Sequence, residues 1–318
     1  MNAVVVGAGI IGCAIARELA VRGVRCTVFD PREVGGGATQ ASAGMLAPYV
    51  EAHERGPLLD LGVRSLALYD DWIAAVRAES GADVEYRRIG TLETASNRLT
   101  PEHGYVAADA LAIALARAAE RGGAAFVRDR VTALRETAGG LRVSTPSGAF
   151  DATHVVLAAG AWGNAIEGVR LPPVRPVRGQ LLYLGWKAAP LTTIVWGPRC
   201  YVVPRLDGTV LVGATMEDAG FDERATAAGV RDLLDAVCEL LPAARDATFL
   251  GVRVGLRPAT PDELPVIGAD PNVAGLIHAA GHYRNGVLLA PITAKLLADL
   301  IVDGKHDPLL ATFNAARF

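Results

Sequence analysis

A glycine-rich turn near the start of the chain, between a predicted strand and a predicted helix, restricts the fold more than any other feature. Residues 2–6 are a short apolar run with three consecutive valines, which is typical of a buried parallel strand. Gly7-Ala8-Gly9-Ile10-Ile11-Gly12 follows, and a helical pattern continues over 13–22. A second predicted strand, 26–29, ends at Asp30. These residues predict that the chain begins with a βαβ unit.

Each glycine of this turn has a physical task if the turn binds a dinucleotide. Gly7 allows the tight turn, Gly9 lets the backbone approach a pyrophosphate, and Gly12 lets the helix pack closely on the sheet. The start of the helix supplies free N–H groups and partial positive charge for phosphates. Asp30 is placed to accept hydrogen bonds from ribose hydroxyls, which disfavours NADP. The pattern leaves FAD and NAD open, and a glycine-rich turn without a ligand is the structural alternative.

A run of small residues, 36–46, follows the predicted βαβ unit. It offers backbone N–H groups and hydroxyls with little bulk, which suits a long cofactor lying along the chain. A flexible loop is an equally good interpretation of this segment taken alone.

Helical and strand patterns alternate through the rest of the chain. The predicted helices are 57–79, 108–121, 226–241 and about 286–302. The predicted strands are 124–127, 131–134, 141–144 and 154–158, and residues 174–216 are dominated by strands. We also predict a hairpin in which 84–89 and 91–94 meet at Gly90. The 318 residues exceed the usual single-core limit of roughly 250–300, so we expect two interleaved domains.

Composition and charge exclude several classes of function. A net charge of −3 gives no attraction for nucleic acid or an anionic membrane. The four cysteines form no CxxC pair, which argues against a zinc site or a disulfide framework and predicts reduced thiols. The longest apolar run, 3–16, is too short to span a bilayer, and no basic residue precedes it as in a signal peptide. We therefore expect a cytoplasmic protein without a transmembrane segment.

Five groups of residues, ordered along nearly the whole chain, carry a resemblance to a known family. They are 5–12 with 42–46, 153–162, 176–180, 200–205 with 212–216, and 255–258 with 281–291. The last two groups are the most specific, and they include Cys200-Tyr201-Val202-Val203-Pro204-Arg205 and Gly281-His282-Tyr283-Arg284-Asn285-Gly286. On these residues the chain resembles the FAD-dependent D-amino acid oxidase family, and within it the glycine oxidase (ThiO-like) branch.

The resemblance implies an α/β (α+β) flavoprotein with two interleaved domains. The Rossmann-like FAD-binding domain would be assembled from 1–80, 101–175 and 251–318. The smaller, mainly antiparallel-sheet domain, formed by 81–100 and 176–250, would bind the substrate. FAD would be held by the glycine-rich turn, the small-residue run and a loop over the isoalloxazine ring at 282–288. The implied FAD-binding residues are Gly7, Gly9, Ile10, Ile11, Gly12, Asp30, Pro31, Ala38, Thr39, Ala43, Gly44, Met45, Val131, Gly160, His282, Tyr283, Arg284, Asn285, Gly286, Val287 and Leu288.

The resemblance also implies a substrate site in which Arg257 holds a carboxylate, helped by Tyr201 and Arg284, with Met216 lining the pocket. The chemistry agrees, because a bidentate guanidinium matches the shape of a carboxylate. Arg257 lies in an apolar segment and needs an anionic partner if it is buried. A solvent-facing arginine on an edge strand is the alternative. No protein residue is assigned a catalytic role and no metal is expected, because the flavin carries the redox chemistry.

The implied activity is that of an oxidoreductase, an amino acid oxidase. Glycine or small D-amino acids would lose hydride to flavin N5 and become oxo acid and ammonia, and O2 would be reduced to hydrogen peroxide. An FAD-dependent D-amino acid or sarcosine-type dehydrogenase that uses another acceptor is the first alternative, and a non-catalytic nucleotide-binding subunit is the second. The partners would be a small amino acid and O2. A homo-oligomer is compatible with the sequence.

Two departures from the family pattern bear on the site. Only 16 residues separate Leu92 from Asp109, where relatives carry a much longer segment of the substrate domain. This predicts a short loop at 100–104 and a more open site that accepts bulkier D-amino acids than glycine. Monomeric sarcosine oxidases attach FAD through a cysteine before a Thr-Pro-Asp-Glu stretch. This chain has that stretch at 260–263 but Gly255 at the corresponding position, which predicts non-covalent FAD.

Overall fold

The structure, a computed structural model, describes residues 1–51 and 55–318. The helices are α1 (Ile10–Val21), α2 (Pro48–Glu51), α3 (Pro57–Ser80), α4 (Ala108–Arg121), α5 (Ala227–Leu240), α6 (Gly286–Asp303) and α7 (Leu309–Thr312). The strands are β1 (Asn2–Val6), β2 (Arg25–Phe29), β3 (Met45–Leu46), β4 (Tyr86–Arg88), β5 (Thr91–Glu93), β6 (Arg98–Thr100), β7 (Gly104–Val106), β8 (Ala125–Val127), β9 (Ala133–Thr137), β10 (Gly140–Thr145), β11 (Gly148–Ala152), β12 (His154–Leu157), β13 (Arg175–Gly185), β14 (Ile194–Trp196), β15 (Tyr201–Pro204), β16 (Thr209–Gly213), β17 (Thr248–Ala259), β18 (Val266–Ala269) and β19 (Leu276–Ala280).

The first sheet has the strand order β18-β19-β12-β1-β2-β8. All neighbouring strands are parallel except β18, which runs antiparallel to β19. The valines of β1 are buried, as expected for a central strand covered on both faces. Helices α1, α3, α4 and α6 pack together on one face, and the three-stranded sheet β9-β10-β11 covers the other. The predicted βαβ opening is confirmed.

The second sheet has the order β17-β13-β16-β15-β14-β5-β6 and is antiparallel except for the β14–β5 pair. Its main hydrophobic cluster forms where Leu233 and Val237 of α5 pack on strands β13 to β16. Thr226 caps α5 by accepting a hydrogen bond from the Gly229 amide at 3.2 Å. The mixed α/β class with one parallel and one antiparallel sheet is thereby confirmed.

The predicted hairpin at 84–94 is wrong. β4 pairs with β7 in a small sheet of order β3-β7-β4, whereas β5 pairs with β6 and β14 in the second sheet. Gly90, at φ +73°, turns the chain from one sheet to the other. Its N–H donates to the His103 carbonyl at 2.9 Å, and its carbonyl accepts from the Ile194 amide at 3.0 Å. The spacing of apolar residues does not predict this turn between sheets, because the two hydrogen-bond partners of Gly90, His103 and Ile194, are distant in sequence.

The two sheets follow the predicted pair of interleaved units in outline, and the domain boundaries stay a prediction. β17 pairs along its whole length with β13, although the predicted boundary at 251 divides it. None of the helices in residues 1–51 and 55–318 has an apolar stretch that would span a bilayer.

Candidate cofactor and substrate site

A cavity of about 500 Å³ lies where the two sheets meet. It opens at the carboxyl ends of β1, β2 and β12, which is where ligands bind in parallel α/β sheets. The other wall comes from the second sheet and from the segment that leads into α6. One cavity therefore joins the glycine-rich turn to the predicted substrate residues.

Most of the residues predicted to bind the cofactor line this cavity. They are Gly7, Gly9, Ile10, Ile11, Asp30, Pro31, Ala38, Thr39, Ala43, Val131, Gly160, His282, Tyr283, Arg284, Gly286 and Val287. All four residues predicted to bind the substrate line it too, namely Arg257, Arg284, Tyr201 and Met216. The structure thus brings predicted site residues from Gly7 to Val287 together in one cavity.

Five predicted cofactor residues lie outside the lining of this cavity. A Cβ on Gly12 would lie 1.9 Å from the Gly7 carbonyl oxygen, and one on Gly44 would lie 1.8 Å from that of Val106. Met45 pairs with Tyr105 between β3 and β7. Asn285 precedes α6 as its N-cap, and Leu288 lies within α6 and is buried. Contact of these five residues with the cofactor stays a prediction.

The geometry of the glycine-rich turn fits a dinucleotide. Gly7 has φ +108°, and a Cβ there would lie 2.4 Å from the Ala158 carbonyl oxygen, so only glycine fits. Gly9 differs, because a Cβ on it would meet only the Thr39 hydroxyl, at 3.6 Å. Such a Cβ would instead occupy space that a pyrophosphate needs to approach the backbone. The Asp30 carboxylate accepts from the amides of Ala8 at 2.7 Å and Arg32 at 2.8 Å and keeps lone pairs for a ribose.

Arg257 is the residue that most strongly suggests an anion site. Its guanidinium lies across Gly179, where a Cβ would come within 2.3 Å of Nη1. Nη1 donates to the carbonyls of Thr215 at 3.0 Å and Arg178 at 3.5 Å. No carboxylate of the described residues lies within ion-pair distance of it. A half-buried guanidinium with free donors and no counter-charge is stabilised by an anionic ligand.

Tyr201 provides a neutral hydrogen-bond donor beside this guanidinium. Its phenol lies across Gly213, where a Cβ would come within 2.3 Å of the hydroxyl, and its ring stacks on Trp196 with centroids 5.6 Å apart. Burial raises the pKa of Tyr201, and the nearby charge of Arg257 only partly opposes this. The hydroxyl therefore stays protonated and able to donate to a carboxylate.

Arg284 is already engaged by a carboxylate. Its Nε lies 3.0 Å from Oε2 of Glu51, and its guanidinium lies over the Trp196 ring at 6.0 Å. The neighbouring Tyr283 hydroxyl donates to Sδ of Met216 at 3.5 Å. A substrate carboxylate would have to compete with Glu51 for Arg284, whereas Arg257 is free of such competition.

Burial keeps two other titratable groups of the cavity uncharged. The pKa of His282 is lowered to about 3 by burial, and its Nε2 contacts the Thr293 hydroxyl at 3.1 Å. Burial raises the pKa of the Cys200 thiol to about 11. Within residues 1–51 and 55–318, no cluster of three or more metal-ligating side chains occurs.

Several residues of the site escaped the sequence analysis. Glu51 and Trp196 stand in no recognisable pattern, and only the fold brings them to Arg284. Gly179 and Gly213 lie within the blocks of family resemblance. Because they lack a side chain, they leave room for Arg257 and Tyr201, and strand pairing decides which side chains lie across them.

Comparison with known proteins identifies a family and relatives of this chain. The sequence model of a family described as "DAO: FAD dependent oxidoreductase" matches residues 2–100 and 98–300. A bifunctional protein ThiO/ThiG of Trichormus variabilis is 37% identical over 99% of this chain, which spans only 55% of that relative. A glycine oxidase of Geobacillus kaustophilus is 33% identical, with 98% of this chain and 96% of the relative covered. The crystal structure of glycine oxidase from the same organism superposes with a TM-score of 0.94, 33% identity, and coverage of 99% and 98%.

The comparisons also indicate a difference in length between this chain and a relative. The two segments matched by the family model meet at residues 98–100. The alignment with the Geobacillus protein runs over 362 positions, more than the 318 residues of this chain. The relative therefore carries residues that this chain lacks, and that they fall at the segment 92–109 stays a prediction. Here that segment contains β6, a three-residue turn and β7 rather than a plain loop.

Proposed function

Because this chain belongs to the DAO family of FAD dependent oxidoreductases, we propose that it is an amino acid oxidase that oxidatively deaminates glycine or small D-amino acids. FAD is the cofactor of this family. The amino acid, O2 and water would be converted into an oxo acid, ammonia and hydrogen peroxide. When bound, FAD supplies the two-electron oxidation.

The observation that carries this proposal is the unpaired guanidinium of Arg257 at one end of a cavity whose other end is a dinucleotide-binding turn. A carboxylate would meet the free N–H groups of Arg257 and the protonated hydroxyl of Tyr201. Charge-assisted hydrogen bonds of this kind contribute about 1.5–3 kcal/mol each. The two residues would then orient the amino acid with its Cα toward the centre of the cavity.

The other residues of the cavity shape it and limit its chemistry. Trp196 and Met216 would border the substrate side chain, and His282 would remain neutral against α6. Met216 is 60% exposed, which fits the short segment between Leu92 and Asp109. We propose that this more open rim admits D-amino acids larger than glycine.

We further propose that the flavin is held without a covalent bond. β17 packs on residues 38–41, and a Cβ on Gly255 would lie 2.9 Å from Cβ of Ala41. A cysteine at this position would require the backbone to move. Denaturation of the holoenzyme is expected to release all of its FAD into the supernatant, and yellow colour retained by the precipitate would contradict this.

The function is tested by a peroxide-coupled assay with glycine, sarcosine, a panel of D-amino acids and their L-enantiomers. We expect peroxide and ammonia in equal amounts from glycine or D-amino acids. Bleaching of the flavin by D-amino acids without peroxide would identify a dehydrogenase instead. Turnover of L-amino acids alone, or a protein that binds no flavin, would refute the proposal.

A further inference from the structure

The two carbonyls that hold Arg257 belong to one short stretch of paired backbone. Arg178, in β13, and Glu217, just after β16, exchange backbone hydrogen bonds of 2.9 and 3.0 Å. The Arg178 carbonyl thus accepts from both Glu217 and Arg257, and the Thr215 carbonyl accepts from Arg257 at 3.0 Å. The position of the guanidinium therefore depends on how firmly the segment 215–217 is held against β13.

The Glu217 carboxylate is the centre of a side-chain network behind this contact. Oε1 accepts from the Thr215 hydroxyl at 2.6 Å and from Nε2 of Gln180 at 2.8 Å. Oε2 accepts from Nη2 of Arg178 at 2.6 Å and from its Nε at 3.1 Å. Gln180 is fully buried, and its backbone N–H donates to the Thr215 hydroxyl at 2.8 Å. Four side-chain donors, from Thr215, Gln180 and Arg178, are thus directed at a single carboxylate.

We infer that Glu217 is a positioning residue for substrate binding: its carboxylate fixes Thr215 and Arg178, and their carbonyls fix the guanidinium of Arg257. This inference rests on the proposed function, in which Arg257 binds the substrate carboxylate. Glu217 does not line the cavity and acts only through Arg257. The network leaves the remaining N–H groups of Arg257 free for the ligand.

The charge of Glu217 is essential to this role. Burial raises the pKa of Glu217, but hydrogen bonds from Thr215, Gln180 and Arg178 outweigh burial and hold it below its usual value. Glutamine in its place would present an NH2 group to donors on one side, because an amide has only one acceptor oxygen. Either Arg178 or the pair of Thr215 and Gln180 would lose its acceptor.

A purely structural role would be the tethering of the segment 217–226 to β13, and Asp222 provides the matched control. Its Oδ2 lies 3.0 Å from Nη1 of the same Arg178. None of its hydrogen bonds involves Thr215 or Gln180. Asp222→Asn therefore removes a carboxylate from the same guanidinium while leaving the contacts behind Arg257 intact.

The experiment compares Glu217→Gln, Thr215→Val and Asp222→Asn as holoenzymes. FAD content, KM and kcat for the preferred amino acid, and the Kd of glycolate from the flavin spectrum are measured. For Glu217→Gln we expect KM and Kd to rise about tenfold together while kcat changes less than about threefold, consistent with the loss of a hydrogen bond to a charged group. Thr215→Val should raise both about threefold, and Asp222→Asn should change neither by more than about twofold.

Equal KM and Kd in Glu217→Gln and the wild type would overturn the inference. So would equal effects of Glu217→Gln and Asp222→Asn. If Glu217→Gln fails to fold, Thr215→Val decides alone, and wild-type binding by that variant would refute the network. A wild-type protein that neither binds glycolate nor oxidises any amino acid would refute the proposed function itself, and the role of Glu217 with it.

Discussion

The two ends of the cavity are built in different ways. The cofactor end is local: β1, the glycine-rich turn, α1 and β2 are continuous in sequence and end at Asp30. The substrate end combines Glu51, Trp196, Tyr201, Arg257 and Arg284, which come from α2, three different strand regions and the approach to α6. A local site can be recognised from residue spacing, whereas a dispersed one depends on which strands pair.

The two ends also differ in how their charges are compensated. At the cofactor end, the Asp30 carboxylate accepts hydrogen bonds from two backbone amides. Within the described part of the chain, Arg257, at the substrate end, donates hydrogen bonds only to carbonyl oxygens and has no carboxylate partner. The cofactor end is therefore preorganised by the backbone, and the substrate end keeps an unbalanced charge for its ligand.

Arg257→Ala should give the largest effect, because it removes the uncompensated charge at the substrate end. Removing the guanidinium is expected to cost on the order of 2–5 kcal/mol in kcat/KM, mostly through KM, because the substrate carboxylate loses a cationic partner that no carboxylate of residues 1–51 and 55–318 engages. Steady-state kinetics with glycine and D-alanine measure the loss. Arg253→Ala is the control, because Arg253 lies on the same strand but pairs with Asp109 at 2.9 Å. Unchanged kinetics in Arg257→Ala would remove Arg257 from the site.

Tyr201→Phe would sharpen the comparison by removing one donor without removing charge. We expect a loss of about 1.5–3 kcal/mol in substrate binding, because the hydroxyl donates to an anion and the Trp196 stacking is retained. The glycolate Kd and the KM should rise together. If they stay at wild-type values, the hydroxyl does not contact the carboxylate.

At the cofactor end, Gly12→Ala and Gly9→Ala should separate packing from binding. A Cβ on Gly12 would lie 1.9 Å from a backbone oxygen, so we expect about 1–3 kcal/mol lower free energy of unfolding. A Cβ on Gly9 meets only ordinary contact, so stability without FAD should change by less than about 0.5 kcal/mol while FAD affinity falls. Urea unfolding and FAD titration measure the two effects. Similar behaviour of the two variants would show that both glycines have the same role.

Glu51→Gln should give the smallest effect. It removes the charge that engages Arg284, and the expected change is about 0.2–1 kcal/mol, as for partly exposed ion pairs. The released guanidinium should favour substrates with a second carboxylate, so the kcat/KM ratio of D-aspartate to D-alanine should rise. A falling ratio would mean that Glu51 itself helps to hold the substrate.

The sequence predicted the helices α3, α4, α5 and α6 closely. Helices α4 and α5 each have one apolar face, whereas α6 is apolar and buried on nearly all sides. It failed at Gly90, where neighbouring short strands enter different sheets. Within the site, the family resemblance supplied Arg257 and Tyr201, whose placement in the cavity supports but does not test their roles. It supplied no signal for Glu51, Trp196 or Glu217, because their partners are remote in sequence.

By itself, therefore, the sequence determined the βαβ opening, since a glycine turn and an acidic strand end act over a few adjacent residues. The family and its FAD cofactor were indicated by the resemblance of separate blocks along the chain, and the family model agrees. Only the tertiary structure decided which of Arg257 and Arg284 has no carboxylate partner among the described residues. Arg284 meets Glu51, and Arg257 meets backbone carbonyls held by Glu217, because strand pairing and helix packing set those distances. Electrostatic pairing depends on separation in space, which spacing along the chain does not specify.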